Sequence, residues 1–371
     1  MPGPVVRADH VGSLLRPAVL AEARAAHMGA GQLHSGPELR EIENAAIREV
    51  VAMQAEAGLA LATDGEFRRT FWHYDFLDGL EGFELEHRPD TSGAGFAGSL
   101  AIKPFHPTIT GPLAFPTDHP MLEHFRFLAS VTDETPKISI PGPSTTHFRT
   151  AAADIGPPQY ADLDVLLADV AATYRAAVHA FYEAGCRYLQ LDDIFFAYLC
   201  DEQQRDAKRA EGFDPDELIE RYADTLEAAI ADRPDDLTIA MHMCRGNFRS
   251  SHAAAGGYDP AADAIFNRTS VDVYYMEYDT DRAGGLEPLR LLPPGPKRVM
   301  LGFVTTKTAE LETIDGLRRR IDDAAERVSL DQLGLAPQCG FASTEEGNLI
   351  TEADQRAKLE LVVRAADAVW G

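Results

Sequence analysis

Residues 237–245 read LTIAMHMCR, an apolar run ending in His242-Met243-Cys244. Alternate residues on an extended strand point to one side, so His242 and Cys244 aim at a common point. An imidazole nitrogen and a thiolate sulfur are both good zinc ligands. Taken alone, the pair reads more readily as a buried, hydrogen-bonded His beside a core Cys. Two later stretches change that reading. VDVYYMEY (271–278) puts Glu277 near a strand end, and LGLAPQCG (333–340) does the same for Cys339.

Working outward, the chain alternates strand-like and helix-like segments. Strands are expected at 5–11, 59–66, 137–143, 188–193, 237–245, 271–278, 298–305 and 333–340. Helices are expected at 37–57, 162–184, 215–232, 313–328 and 352–369, from apolar residues at helical spacing. Residues 84–116 break the alternation with short runs such as SLAIKPFH and TITGPLAF, and read as a β-hairpin insertion. Eight strands mostly separated by helices imply a parallel TIM (β/α)8 barrel with an early hairpin, formed as one unit over residues 1–371.

Bulk properties fit that reading. The 371 residues are 45% hydrophobic, enough for a large core. The formal net charge of −25 argues against nucleic acid or an anionic membrane as partner. No apolar run approaches the ~18 residues of a membrane span. Residues 1–13 lack the apolar stretch of a signal peptide, and the four cysteines are widely spaced, so a cytoplasmic location is expected.

Barrel chemistry sits at the C-terminal ends of the strands. The polar candidates gather there: Gly12 and Ser13, Asp64 and Glu66, Ser144 and His147, Asp192 and Asp193, His242 and Cys244, Glu277, Thr305 to Lys307, and Cys339. One His, one Glu and two Cys from separate strands suit zinc, either as a structural site or as one that receives a thiol. Coordination to a cation deprotonates a thiol that is otherwise mostly neutral at pH 7. Glu66 and Asp192 could then flank an ammonium, or serve as an ion-pair partner and a helix cap. The Gly12-Ser13 turn could offer N–H groups to a carboxylate. Trp72 and Phe148 could wall a planar donor or simply be core. Cys186 and Cys200 are assigned no metal role.

HVGSLLRP, TDGEFRR, QLDD, HMC, MEY and QCG, in this order and at these strand ends, resemble the catalytic barrel of cobalamin-independent methionine synthase. The short single-barrel relatives are the nearer likeness, and it spans nearly the whole chain. The resemblance implies zinc held by His242, Cys244, Glu277 and Cys339. It also implies a homocysteine amine at Glu66 and Asp192, with its carboxylate at Gly12-Ser13. The expected reaction is methyl transfer to homocysteine from methyltetrahydrofolate or another donor. Expected partners are a small-molecule thiol and that donor, with a homo-oligomer left open.

The chain departs from the family pattern in three places. No second, N-terminal barrel is read in it. The interval from HMC to Glu277 is long, which implies extra structure beside the zinc. Where the family has a proton-donating His after strand seven, this chain has Val304 to Lys307, so His73 and His147 are the candidates for that role. Rival readings are an epoxide-opening transferase that uses coenzyme M, a ligand-binding barrel with structural zinc, and a metal-free barrel of the decarboxylase type.

Overall fold

The Thr238–Met243 strand lies inside a six-stranded parallel sheet in the computed structural model, which describes residues 5–29, 36–87 and 105–371. In chain order the strands are β1 Leu61–Ala62, β2 Glu81–His87, β3 Phe105–Ala114, β4 Thr135–Pro136 and β5 Ile138–Pro141. They continue with β6 Tyr188–Asp192, β7 Thr238–Met243, β8 Val273–Glu277, β9 Arg298–Val304 and β10 Leu333–Pro337. From β5 to β10 each strand pairs in parallel with the next. β1 pairs in parallel with β4, and the Lys137 amide continues that ladder to Ala62 O at 2.8 Å. At the far edge Ala8 bridges Leu335 of β10 in parallel. With helices between the strands, this is the expected (β/α)8 barrel.

Two expected strands are much shorter than their apolar runs. Residues 5–11 reduce to the bridge at Ala8, and 59–66 to the two residues of β1. The reason lies at the seam between them, which side chains close. The Gln54 amide bridges His10 Nε2 at 2.9 Å and both backbone groups of Thr63, at 2.9 and 2.8 Å. The Thr63 hydroxyl donates to Gly12 O at 2.7 Å. These bonds satisfy buried polar groups that a ladder would otherwise pair.

The hairpin is present with shifted bounds. β2 and β3 pair antiparallel from Glu81↔Ala114 to His87↔Phe105. It thus starts three residues before the expected 84–116, and residues 88–104 of that expectation lie outside the described residues.

The expected helices appear as Pro37–Glu56, Leu163–Glu183, Pro215–Ile230, Ile314–Ala325 and Glu352–Trp370. Side-chain caps fix the starts of four of them: Asp162, Asp214, Thr313 and Thr351 each accept a backbone N–H of the first turn. Their apolar faces cover the outside of the sheet. Leu167, Val170, Tyr174, Val178 and Phe181 are all buried on one helix. Truncating Phe181 to Ala would cost about 3–5 kcal/mol.

The barrel interior holds a polar knot. Lys137 Nζ lies 2.9 Å from Asp9, the Tyr275 hydroxyl also donates to Asp9, and the Tyr188 and Tyr275 hydroxyls are 2.8 Å apart. A buried ion pair is tolerable only with its remaining valences filled, as here. No helix among the described residues is long and apolar enough to cross a membrane.

Candidate metal centre

β7 ends at Met243, and its last turns carry His242 and Cys244 to the mouth of the barrel. Cys339 arrives just past β10. One ligand atom from each of His242, Cys244 and Cys339 lies within 4.8 Å of the other two, and all three residues are buried. His242 Nε2 is buried with no hydrogen-bond partner among the described residues. An orphaned imidazole nitrogen beside two unbridged thiols is the donor set that zinc takes.

Electrostatics couple the three groups. Burial opposes charge on His242, but the Asp192 carboxylate and the Cys339 sulfur outweigh it and lift the imidazole to about 10. A hydrogen bond from Cys244, together with His242, holds the Cys339 thiol well below its usual value. The same bond and burial push Cys244 well above it. The proton of the thiol pair thus stays with Cys244 in preference to Cys339.

Glu277 lies outside the 4.8 Å cluster. One carboxylate oxygen accepts from the Arg245 amide at 2.8 Å. The other accepts from Gln338 Nε2 at 2.7 Å and from the Arg282 guanidinium. Burial opposes its charge, yet Lys307, Arg282 and Arg245 keep its pKa below the ordinary carboxylate value. The fourth expected ligand is thus next to the site but fully engaged.

A cleft opens over the cluster. Ser13, Glu66, Trp72, His73 and Asp192 line it together with His242, Cys244 and Cys339. Gly12 makes the turn behind Ser13 at φ +138, a conformation that favours glycine. Gly340 is required for another reason: a Cβ there would fall 1.9 Å from Ser13 Oγ. Glu66 sits at φ 60, an uncommon backbone for a residue with a side chain. Its carboxylate accepts from Ser139 Oγ at 3.0 Å and lies 3.6 Å from Arg69. Burial pushes it up to about 7; Arg69 pulls against that, while Asp192 and Asp64 add to it. Asp192 accepts from His242 Nδ1 at 3.2 Å and from Gln190 at 2.8 Å.

The two candidate histidines part company. His73 lines the cleft and stacks on Trp72, ring centroids 4.4 Å apart. Burial and Arg149 hold it well below its usual pKa, so it is neutral at pH 7. His147 is turned away by the short helix Ser144–Phe148, and its Nδ1 meets the Tyr222 hydroxyl at 2.7 Å. It faces a different cavity.

Three further cleft residues carried no spacing signal. Tyr198, Asn247 and Arg149 also line the cleft. Lys307 Nζ is buried with no hydrogen-bond partner among the described residues and depresses both Cys339 and Glu277. The long interval after HMC forms a bridge from Phe248 to Ser251 and the helix Ala262–Asn267. Cys186 and Cys200 are buried elsewhere, their thiols donating to backbone carbonyls.

Known proteins resemble this chain over most or all of its length. The uncharacterized protein YxjH of Bacillus subtilis is 47% identical over 373 residues, covering 98% of this chain and 94% of that one. A solved structure from Listeria monocytogenes, described as a candidate vitamin-B12 independent methionine synthase, is 38% identical. It superposes with a TM-score of 0.77 over 100% of this chain and 99% of its own. The 5-methyltetrahydropteroyltriglutamate–homocysteine methyltransferase of Bacillus velezensis is 25% identical over 305 residues, which are 82% of this chain but 36% of that enzyme. Residues 10–368 match the family described as cobalamin-independent synthase, catalytic domain, and the chain belongs to that family.

Proposed function

We propose that this protein transfers a methyl group to the sulfur of homocysteine, with zinc held by His242, Cys244 and Cys339 and Glu277 in reserve as a fourth ligand. The observation that carries the reading is the meeting of three soft donors within 4.8 Å at the floor of a cleft walled by two carboxylates. Zinc at such a site supplies a cation that favours the thiolate form of an incoming thiol.

The chain's own residues do the rest. Asp192 orients the His242 ring by accepting its Nδ1 proton, which leaves Nε2 free. Glu66 and Asp192 offer negative charge to the ammonium of an amino-acid thiol. Ser13 and the Gly12 turn stand where its carboxylate could be bound. This wall favours an aminothiol over coenzyme M, whose sulfonate would face the acids. Trp72, stacked on His73, presents a flat surface for the donor. His73 is the cleft-lining histidine, and as a neutral imidazole it can offer the leaving group an N–H hydrogen bond. The donor is proposed to be methyltetrahydrofolate or another methyl compound, and the likeness to the Bacillus velezensis methyltetrahydropteroyltriglutamate–homocysteine methyltransferase supports that donor and homocysteine.

The test is a product assay on zinc-loaded protein. Homocysteine, coenzyme M and an amine-free thiol are each paired with methyltetrahydrofolate and with activated methyl donors. Methionine as the main product is expected. No S-methyl product from any pair, in protein with full zinc, would overturn the reading.

A further inference from the structure

Tyr198 lines the cleft with 3% of its surface exposed, and its hydroxyl has no hydrogen-bond partner among the described residues. A buried hydroxyl without a partner costs free energy that a Phe in the same place would not. The short helix Phe195–Tyr198, just after β6, carries the residue. Aromatic packing holds the ring: Phe195 and Phe148 meet it edge-on, with centroids 5.3 and 6.0 Å away. The oxygen therefore contributes nothing visible to the fold.

Gly246 makes room for that oxygen. A Cβ there would fall 2.7 Å from the hydroxyl and 3.0 Å from Ala253 Cβ, and the residue sits at φ +83. Gly246 is the second residue past Cys244, so the hydroxyl stands beside the metal-binding end of β7. Tyr198, Cys244 and Cys339 share one apolar cluster. Burial pushes the phenol well above its usual pKa; Arg149 opposes this, while Cys244, Cys339 and Glu277 add to it. The hydroxyl is thus neutral, with a proton to donate.

We propose that the Tyr198 hydroxyl donates a hydrogen bond to the sulfur of the thiol that binds at His242, Cys244 and Cys339. This rests on the thiol half of the proposed function. The sulfur binds as an anion, and a hydrogen bond to an anion is roughly twice as strong as one between neutral groups. The bound thiol supplies the partner that the hydroxyl lacks. The bond tightens thiol binding and draws electron density from the sulfur, so it favours occupancy over intrinsic reactivity.

The test uses full-length, cobalt-substituted protein titrated with homocysteine and no methyl donor. In the parent a sulfur-to-cobalt charge-transfer band should appear. In Tyr198→Phe that band should lie at longer wavelength, because sulfur lone pairs relieved of a hydrogen bond are higher in energy. Homocysteine should also bind about tenfold weaker, as loss of a charge-assisted hydrogen bond implies. In turnover with zinc, the loss should fall on KM for homocysteine and not on kcat. The thiol-free cobalt spectra should match. The Tm of zinc-loaded, thiol-free Tyr198→Phe should be no lower than the parent's, since no bond is removed. An unshifted band would overturn the proposal. So would a Tyr198→Phe protein that melts earlier or fails to fold, because the hydroxyl would then have a structural partner. If neither homocysteine nor any other thiol gives a sulfur band in the parent, the thiol reading falls and this proposal falls with it. A shifted band without any methyl product would count against the reaction and leave the hydrogen bond standing.

Discussion

Asp192 Oδ1 lies 3.2 Å from His242 Nδ1, and the two residues are register partners on β6 and β7. The pairing fixes the ring so that the other nitrogen faces Cys244 and Cys339. A carboxylate behind a metal-binding imidazole raises its basicity and sets its tautomer, and losing it typically costs 10–100-fold in metal affinity. Asp192→Asn should therefore weaken zinc binding by about that factor, read by competition with a chelating dye. Unchanged zinc affinity would confine Asp192 to the substrate side of the cleft.

Zinc uptake should release protons at pH 7, at least one each from His242 and Cys244. His242 is lifted to about 10 and Cys244 well above its usual value, so both carry protons there. Metal binding needs a neutral imidazole and two thiolates. Affinity should accordingly rise with pH through the neutral range. Calorimetry in buffers of differing ionisation enthalpy measures the proton count. A count near zero would mean that the metal sits elsewhere.

The strand-end rule made most of this site legible. Period-two alternation put His242 and Cys244 on one side, and the barrel brought Cys339 to them from almost a hundred residues away. What failed to show were effects of short helices and distant partners. One turn of helix at Ser144–Phe148 carries His147 out of the cleft while Ser144 stays bonded to Asp193. Glu277 was readable as a strand-end acid. Its engagement by Arg282 depends on the short turn Asp281–Ala283, and that by Gln338 on a strand two places along the sheet. The short β1 and the bridge at Ala8 were over-read for a similar reason. An apolar run records burial, and at this seam burial comes with side-chain bonding in place of a ladder.

Glu66 gives a pH dependence whose sign can be worked out. Its pKa is raised to about 7, so below that value it is neutral and cannot pair with an ammonium. Affinity for homocysteine relative to a thiol of equal length without an amine should rise with pH and level off above about 7. Glu66→Gln should flatten that ratio. The same shift means that the group stabilises the fold fully below its unfolded value and that this contribution is lost as pH rises through about 7. Glu66→Gln should therefore raise the Tm relative to the parent more at pH 8 than at pH 4.5. A ratio independent of pH in the parent would remove Glu66 from the ammonium site.

Glu277 and Arg282 offer the sharpest test of how the fourth position is used. Glu277 has both oxygens engaged, by the Arg245 amide, Gln338 and Arg282. If this cage holds the carboxylate off the metal while the thiol is bound, loosening it should favour Glu277 as a ligand. Arg282→Met should then tighten zinc binding several-fold and weaken thiol binding by a similar factor, since both compete for one position. Cobalt-substituted protein reports the change directly, because its visible absorption shifts with the ligand set. Glu277→Gln should reverse the pattern, weakening zinc in the thiol-free state and sparing thiol binding. Should Arg282→Met lower the Tm with no change in either affinity, the cage would be a structural ion pair and the three-donor cluster would bind metal without help from Glu277.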